Sequence, residues 1–454
     1  KSGQIMQSNE NLSKFYIKNT AGTFSLPSPV EFVIDRLERA GYSAYAVGGC
    51  VRDHLMGRVP GDYDVTTSAR PDEMLSVFSD CRVVETGLKH GTITVVREGM
   101  NIEITAYRVD GKYTDGRHPE SVEFTDSILE DISRRDFTVN AMAYSPEYGI
   151  LDAKGGGRDL KKKNIRCVGR AVSRFREDGL RILRALRFSS TLDFSPDNSC
   201  DRAIRKNPEL LDPISRERIY AELTKLLCGP GAARIMFAYP DIISHVLPEL
   251  SPADVRMAAW AIERESAIRE KLALSGKPDP ALRYAVLFSW IGFEAAQRAI
   301  ASLKPSREEA RRIKEYLRRK DDKPECSLPL FGVTKNEYYV KKLSSGSDDD
   351  FSEKFPIFMY AIRRVNEDGA RTLLDIARKL KETNAAVTIS NLATDGRDAA
   401  LAGFFGAEIG RALDSLLDGV MRGEIKNERE ELLSALKNMK NTDSKRGAPH
   451  EFQK

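Results

Sequence analysis

Between Pro27 and Tyr144 the pattern of apolar and polar positions changes period several times. Four short runs, SAYAV (43–47), YDVTT (63–67), TITVV (92–96) and IEITAYR (102–108), read as strands, because successive side chains of a strand face opposite sides. The stretches between them read as helices. The last two strands are joined through REGMN, where Gly99 can supply a positive φ, so they form a hairpin that brings Glu103 into the same sheet as Asp62 and Asp64. From Phe175 onward helical periodicity takes over, as in FREDGLRILRALRF, ISRERIYAELTKLL and IGRALDSLLDGV. SREEARRIKEYLRRK opens with Ser306 and Glu309 at capping-box spacing and ends in basic residues, with its charges read as a solvated face. The amphipathic stripe Ile409, Leu413, Leu416, Leu417 and Val420 is assigned to packing among the C-terminal helices. SSGSDDDFSEK (344–354) reads as a linker and the final NTDSKRGAPHEFQK as a frayed tail. The order is an α/β unit followed by helices.

Length and composition bound the class. At roughly 150 residues per domain, 454 residues make two to four units. Hydrophobic residues at 41% and charged ones at 30% are ordinary for a globular protein. A net charge of +4 permits a polyanionic partner without requiring one. Six cysteines with no C-x-x-C pair indicate neither a disulfide scaffold nor a zinc knuckle, and read as reduced thiols of a cytoplasmic chain. No stretch reaches the ~20 apolar residues of a membrane span, so no membrane partner is expected.

Candidate chemistry starts at GGCVRDHLMGRVPGDYDVTT (48–67). Gly48 and Gly49 follow an apolar strand and precede a helix beginning near Val51, so their backbone N–H groups can approach a triphosphate, with Arg52 in the first turn beside it. Asp62 and Asp64, two apart in a strand, project from one face and repel unless protonated or bridged by cations. Such a pair suits Mg²⁺, which is held by one or two carboxylates plus substrate phosphates. Glu103 is a third candidate acid, with Ile102 and Ile104 facing the other way; a solvated edge-strand glutamate is the alternative. In EDGLRILRALRF (177–188), Asp178, Arg181, Arg184 and Arg187 recur every three residues along one ridge of a helix, beside a parallel apolar ridge of Leu180, Leu183 and Leu186. On the residues alone, Asp178 and Arg181 are an intrahelical ion pair worth ~0.2–0.5 kcal/mol.

In this order and spacing, G-G-x-V-R-D, D-x-D, ETGLKHGTITVV, DGRHP, RRDFTVNAMAY, EDGLRILRALRF and SRERIYAELTKLL resemble the class II tRNA nucleotidyltransferases, the CCA-adding enzymes, of the tRNA nucleotidyltransferase/poly(A) polymerase family. Residues 395–433 are similar to that family's tail region. The resemblance implies an α+β fold: a polymerase-beta-like nucleotidyltransferase head (27–150), then an all-helical neck (151–229), body (230–345) and tRNA-binding tail (346–440). It implies that Asp62 and Asp64 bind two Mg²⁺ ions with Glu103 assisting, and that Gly48, Gly49, Arg52, Arg135, Arg184 and Arg187 surround the nucleotide. Asp178 would accept from the exocyclic amine of C or A and Arg181 would donate to N3 of C or N1 of A. Asp136 and Asn140 would meet the ribose, with a helix cap or polar core bridge as the alternative for Asn140. Asp115 and Arg117 would form the core of a flexible loop. The implied partners are tRNA, CTP and ATP, with no DNA. Gly179 departs from expectation, because a glycine inside the base-reading helix costs about 1 kcal/mol relative to alanine.

Three other activities compete. A bacterial poly(A) polymerase shares the head and neck, but this chain reads ETGLKHGTITVV where those enzymes resemble a GRRFRLVH-type segment, and it retains DGRHP. An A-adding enzyme working with a separate CC-adding partner fits the same motifs. A non-catalytic RNA-binding module would use the carboxylates for a structural ion. A phosphohydrolase activity is not expected, since LFSWIG (287–292) and five histidines in all carry no His-Asp pair.

Overall fold

In the computed structural model the described residues are 12–17, 24–111, 122–321, 335–345 and 350–446. They form two compact units, Lys1–Arg256 with Arg298–Pro305, and Met257–Gln297 with Ser306–Lys454.

The first unit is built on an eight-stranded mixed sheet. Its strands are β1 (Tyr16–Ile17), β2 (Ala44–Val47), β3 (Asp64–Thr67), β4 (Arg82–Val84), β5 (Thr92–Arg97), β6 (Met100–Ala106), β9 (Ala143–Ser145) and β10 (Gly149–Leu151), with β7 (Arg108–Asp110) and β8 (Val122–Phe124) forming a separate ribbon. The spatial order is β1-β10-β9-β2-β3-β6-β5-β4, and β3 and β6 are the parallel pair. The β5–β6 hairpin turns through Glu98 and Gly99, both at positive φ, as REGMN suggests. Period-2 alternation sends Val65, Ile93, Val95, Ile102 and Ile104 into the core, where they meet Val30, Val33, Ile34 and Leu37 of α1 (Ser28–Arg39) and Met74 of α3 (Pro71–Val77). At ~25 cal/mol per Å² of buried apolar surface, the burial of this apolar face fixes the register. A one-residue slip would turn every core side chain to the other face.

The rest of the unit is helical, with one exception to the helical pattern after Phe175: a short parallel pair, β11 (Asn164–Ile165) with β12 (Ser195–Pro196). Helix α4 (Ile128–Ser133) precedes β9, and α5 (Gly156–Lys161), α6 (Ala171–Glu177), α7 (Leu180–Leu192), α8 (Asn198–Lys206) and α9 (Arg216–Leu227) follow the sheet. α9 packs on α7, where the Ser190 hydroxyl donates to the Leu226 carbonyl at 2.6 Å.

In the second unit Ser306 and Glu309 form the expected capping box. Asp279 caps Pro280–Phe288 by accepting from Ala281 N and Leu282 N, and pairs with Arg312 and Lys354 from two other helices. Tyr316 is packed among Phe351, Phe355 and Phe358. Leu413, Leu416 and Leu417 are buried in a cluster with Leu432 and Leu436, with Ile409 and Val420 at its margin, so the stripe is core. The linker is shorter than the sequence suggests, because Phe351–Ala361 is already helical. Among the described residues no helix is long and apolar enough to cross a membrane.

Candidate active site

A cavity of about 1020 Å³ opens in the first unit, and every expected site residue within the described residues lines it: Gly48, Gly49, Arg52, Asp62, Asp64, Glu103, Arg135, Asp136, Asn140, Asp178, Arg181, Arg184 and Arg187. Asp115 and Arg117 lie outside the described residues. Eight basic side chains line the cavity against five acidic ones, because Arg108, Arg134 and Lys225 join the five expected arginines. A net-positive, walled concavity concentrates a polyanion.

The glycine step comes first. Gly48 sits at φ 82, ψ −125 and α2 (Gly49–Leu55) starts directly after it, two residues earlier than the sequence suggests. A Cβ on Gly48 would meet Arg135 Nη1 at 3.3 Å, and one on Gly49 would meet Arg52 Nη2 at 3.6 Å and Asp62 Oδ1 at 4.0 Å. The missing side chains let two guanidiniums and a carboxylate close on the same backbone.

The carboxylates arrive from two places. β3 begins at Asp64, so Asp62 lies on the loop ahead of the strand and not, as expected, on its pleat. Asp64 is cross-strand from Glu103, and Glu103 from Thr94, so all three face the cavity. Desolvation, then the charges of Asp62 and Glu103, push the Asp64 carboxyl up to about 6, with Arg135 opposing. An ion or proton is thereby favoured at this pair. Among the described residues no group of three His, Cys, Asp or Glu side chains is close enough to hold an ion unaided. A pair of carboxylates fits an ion that completes its shell with water and phosphate oxygens, as Mg²⁺ does.

Arg134 and Arg135 are held by the fully buried Asp131: Arg134 Nε donates at 2.9 Å and Arg135 Nη2 at 3.3 Å, and Thr66 Oγ1 adds a third bond at 3.3 Å. Burial pushes the Asp131 carboxyl up, but the two arginines outweigh it and hold it below the usual range. Arg52 Nη1 donates to Asn140 Oδ1 at 2.7 Å while its other nitrogens grip Asp53. Asp136 accepts from Arg184 and from its neighbour's backbone, Phe137 N, at 2.8 Å. Both residues expected at a ribose are therefore bonded to arginines.

The largest difference concerns residues 177–188. They are not one helix. α6 ends at Glu177, Asp178 is extended (φ −143, ψ 108), and α7 begins at Leu180 with Gly179 at its N-cap. Asp178 and Arg181 each bond to other residues. Asp178 Oδ1 accepts from Leu180 N at 3.0 Å and Oδ2 from Arg218 of α9 at 2.9 Å. Arg181, nearly buried, donates to Glu177 and to the Arg174 carbonyl. Arg187 donates to Glu222 at 2.8 Å, and Arg184 lies 3.6 Å from the same carboxylate. Gly179 is no helix flaw either: a Cβ there would stand 1.8 Å from the Leu210 carbonyl oxygen, so only glycine fits.

Sequence reasoning missed Asp131, Glu177, Arg218 and Glu222 as the partners that hold these groups. Arg218 and Glu222 are four apart in SRERIYAELTKLL and so share a helix face, a signal that they act together but not on what.

The chain is similar in sequence and in fold to known proteins. Residues 44–166 match the poly A polymerase head domain, and residues 193–254 match the probable RNA and SrmB-binding site of polymerase A. The chain is 46% identical to the CCA-adding enzyme of Geobacillus thermodenitrificans over 237 residues, 52% of this chain and 57% of that protein. With the Geobacillus stearothermophilus CCA-adding enzyme it shares 44% over 242 residues, 51% of this chain and 59% of that protein. The matches thus span somewhat more than half the length of these curated relatives. The crystal structure of the Bacillus stearothermophilus CCA-adding enzyme in complex with CTP superposes with a TM-score of 0.73 at 29% identity, over 93% of this chain and 100% of that one. The Thermotoga maritima CCA-adding enzyme complexed with tRNA shares the fold, at a TM-score of 0.61 and 21% identity over 94% of this chain and 98% of that one.

Proposed function

We propose, for a chain that carries the poly A polymerase-type head domain and its adjoining RNA-binding domain, template-independent addition of C, C and A to the 3′ end of tRNA from CTP and ATP. The observation that carries the reading is the convergence, in one cavity, of the Asp62–Asp64 carboxylates with Asp178 and Arg181. The first pair suits phosphoryl transfer, and the second presents one acceptor and one donor to a base edge.

In this reading the triphosphate lies against the Gly48–Gly49 backbone, where two guanidiniums already approach, and Arg52, Arg135, Arg184 and Arg187 offset its charge through directed N–H donors. Asp178 accepts from the exocyclic amine of C or A. Its two oxygens already take one donor each from Leu180 N and Arg218, and a carboxylate has about four acceptor sites, so the extra bond is chemically available. Arg181 donates to N3 of C or N1 of A. UTP and GTP present the reverse pattern and would leave buried polar groups unpaired, at about 1–3 kcal/mol each. Asp62 and Asp64 would hold two Mg²⁺ ions, with Glu103 adding negative charge beside them. The chemistry such ions would supply there is activation of the tRNA 3′-hydroxyl and charge neutralisation on the phosphates. Asn140, bonded to Arg52, borders the ribose, and Asp136 acts there through Arg184.

Incubating the protein with Mg²⁺ and labelled tRNAs ending at the discriminator base, at C or at CC, with CTP and ATP separately and together, tests the assignment. Extension of all three to CCA is expected. No addition of C to the first two, with A added only to the third, would replace it with A-addition. Extension of unstructured RNA with ATP alone would replace it with tail polymerisation.

A further inference from the structure

Phe188 lines the cavity, is only 5% exposed, and has no assigned part in nucleotide handling. Three guanidiniums surround its ring. The Cζ of Arg187 stands 3.6 Å from the ring centroid, and those of Arg52 and Arg184 stand 5.5 Å away. Arg52 comes from α2, the other two from α7. The ring is itself held by Phe137, edge-on at 5.7 Å and 74°. Like charges brought together repel, and the ring face, negative by its quadrupole, offsets that repulsion.

What distinguishes a ring from a carboxylate as a partner is the part of the guanidinium it occupies. Asp53, Asp136 and Glu222 take N–H donors from these arginines. An aromatic ring takes the flat face and leaves the N–H edge for phosphate oxygens. We propose that Phe188 is a positioning residue for the triphosphate, an aromatic hub that gathers Arg52, Arg184 and Arg187 at one point of the cavity without consuming their donors. The proposal rests on the nucleotide-binding reading of this cavity and names the feature that makes its arginines converge.

The test is isothermal titration of the 454-residue chain with CTP and, separately, inorganic triphosphate, each with Mg²⁺. It compares wild type, Phe188→Leu, and proteins carrying 4-fluoro-, 3,5-difluoro- or pentafluorophenylalanine at position 188. Fluorination weakens the ring's quadrupole at nearly constant volume, so a packing role would not follow it. Affinity for both ligands is expected to fall stepwise along the fluorine series and by on the order of tenfold in Phe188→Leu, with melting temperature nearly constant across the fluorinated proteins. Equal affinities along the series, with Phe188→Leu altering only thermal stability, would overturn the hub. If the wild type binds inorganic triphosphate but not CTP, and the series still falls, the hub stands and the nucleotide assignment fails. If the wild type binds neither ligand, both fall.

Discussion

Replacing Gly179 by alanine sets two effects of opposite sign against each other. Its backbone, at φ −59 and ψ −27, is one that any residue adopts, so the lower entropy of the unfolded chain alone predicts a gain of about 0.4–1 kcal/mol. Against this, the new methyl would sit 1.8 Å from the Leu210 carbonyl oxygen, 2.7 Å from its carbon and 3.3 Å from its Cβ. Two of these are backbone atoms that cannot swing aside, so α7 and the turn Pro208–Leu211 must separate by more than about 1 Å. Overpacking of this kind costs about 1–3 kcal/mol, and a backbone clash belongs at the upper end, which leaves roughly 2 kcal/mol net destabilisation. For a unit of some 250 residues that is a fall of about 4–8 °C in Tm, measured by calorimetry with and without CTP. Because Asp178 is the preceding residue, CTP affinity should fall as well, by roughly tenfold. Gly410 is the matched control: it lies within the helix Ala407–Arg422 and a Cβ there meets nothing within 4 Å, so Gly410→Ala should gain up to about 1 kcal/mol. Two alanine variants that shift Tm in the same direction would refute the steric reasoning.

Asp62→Ala should lower nucleotide addition at least about a hundredfold, since even residues that merely support metal ligands cost 10–100-fold. Its Tm should hold or rise, because Asp62 is exposed and its charge raises the Asp64 carboxyl; a large fall in Tm would make Asp62 structural. In the second unit Glu265 is fully buried against Arg283, itself 2% exposed. Arg283→Met should cost about 3 kcal/mol, the lower end for a broken buried pair, because Arg269 remains 3.7 Å from the carboxylate, and urea unfolding that matches wild type would refute this. For Asp279, burial pushes the carboxyl up, but the Lys354 hydrogen bond and the charges of Lys354 and Arg312 outweigh it and hold it below the usual range. A depressed folded pKa gives stability that is complete above about pH 4 and lost as pH falls through the folded value. Asp279→Asn should therefore destabilise the unit by roughly 2 kcal/mol at pH 7 and flatten its acid-unfolding curve below pH 4; an unchanged curve would remove Asp279 as the acid-sensitive group.

The outer strands of the head were readable because their burial is one-sided: alternation at Ile102, Glu103 and Ile104 states which face is core, whereas β2 is buried on both faces, Ala44 and Ala46 in one cluster and Tyr45 and Val47 in another. Strand ends were less readable, since the pleat at Asp62 depends on where pairing with β2 begins, at Val47 opposite Asp64. That the thirteen described candidates share one cavity was legible through the resemblance of their motifs to a known family, since chemistry requires carboxylates, glycines and arginines together in space and not in any order along the chain.

Their bonds were not readable, and residues 177–188 show why. A three-residue spacing looks the same with or without a break, and nothing local to Gly179 forces one. The break is tied to the Leu210 carbonyl about thirty residues on, which comes close enough to exclude any side chain. Once the helix is broken, each charged group of the supposed ridge finds its partner elsewhere: Arg181 on Glu177, Asp178 on Arg218, Arg184 on Asp136 and Arg187 on Glu222. Three of these four partners lie outside residues 177–188, and the fourth, Glu177, ends α6. If Asp178 reads the base, its aim is set by Arg218 and by the tight passage of Gly179 past Leu210, and not by helical position. Base choice would then depend on how α7 packs against α9 and the Leu210 turn, so substitutions there should alter the CTP-to-UTP preference without touching the nucleotide.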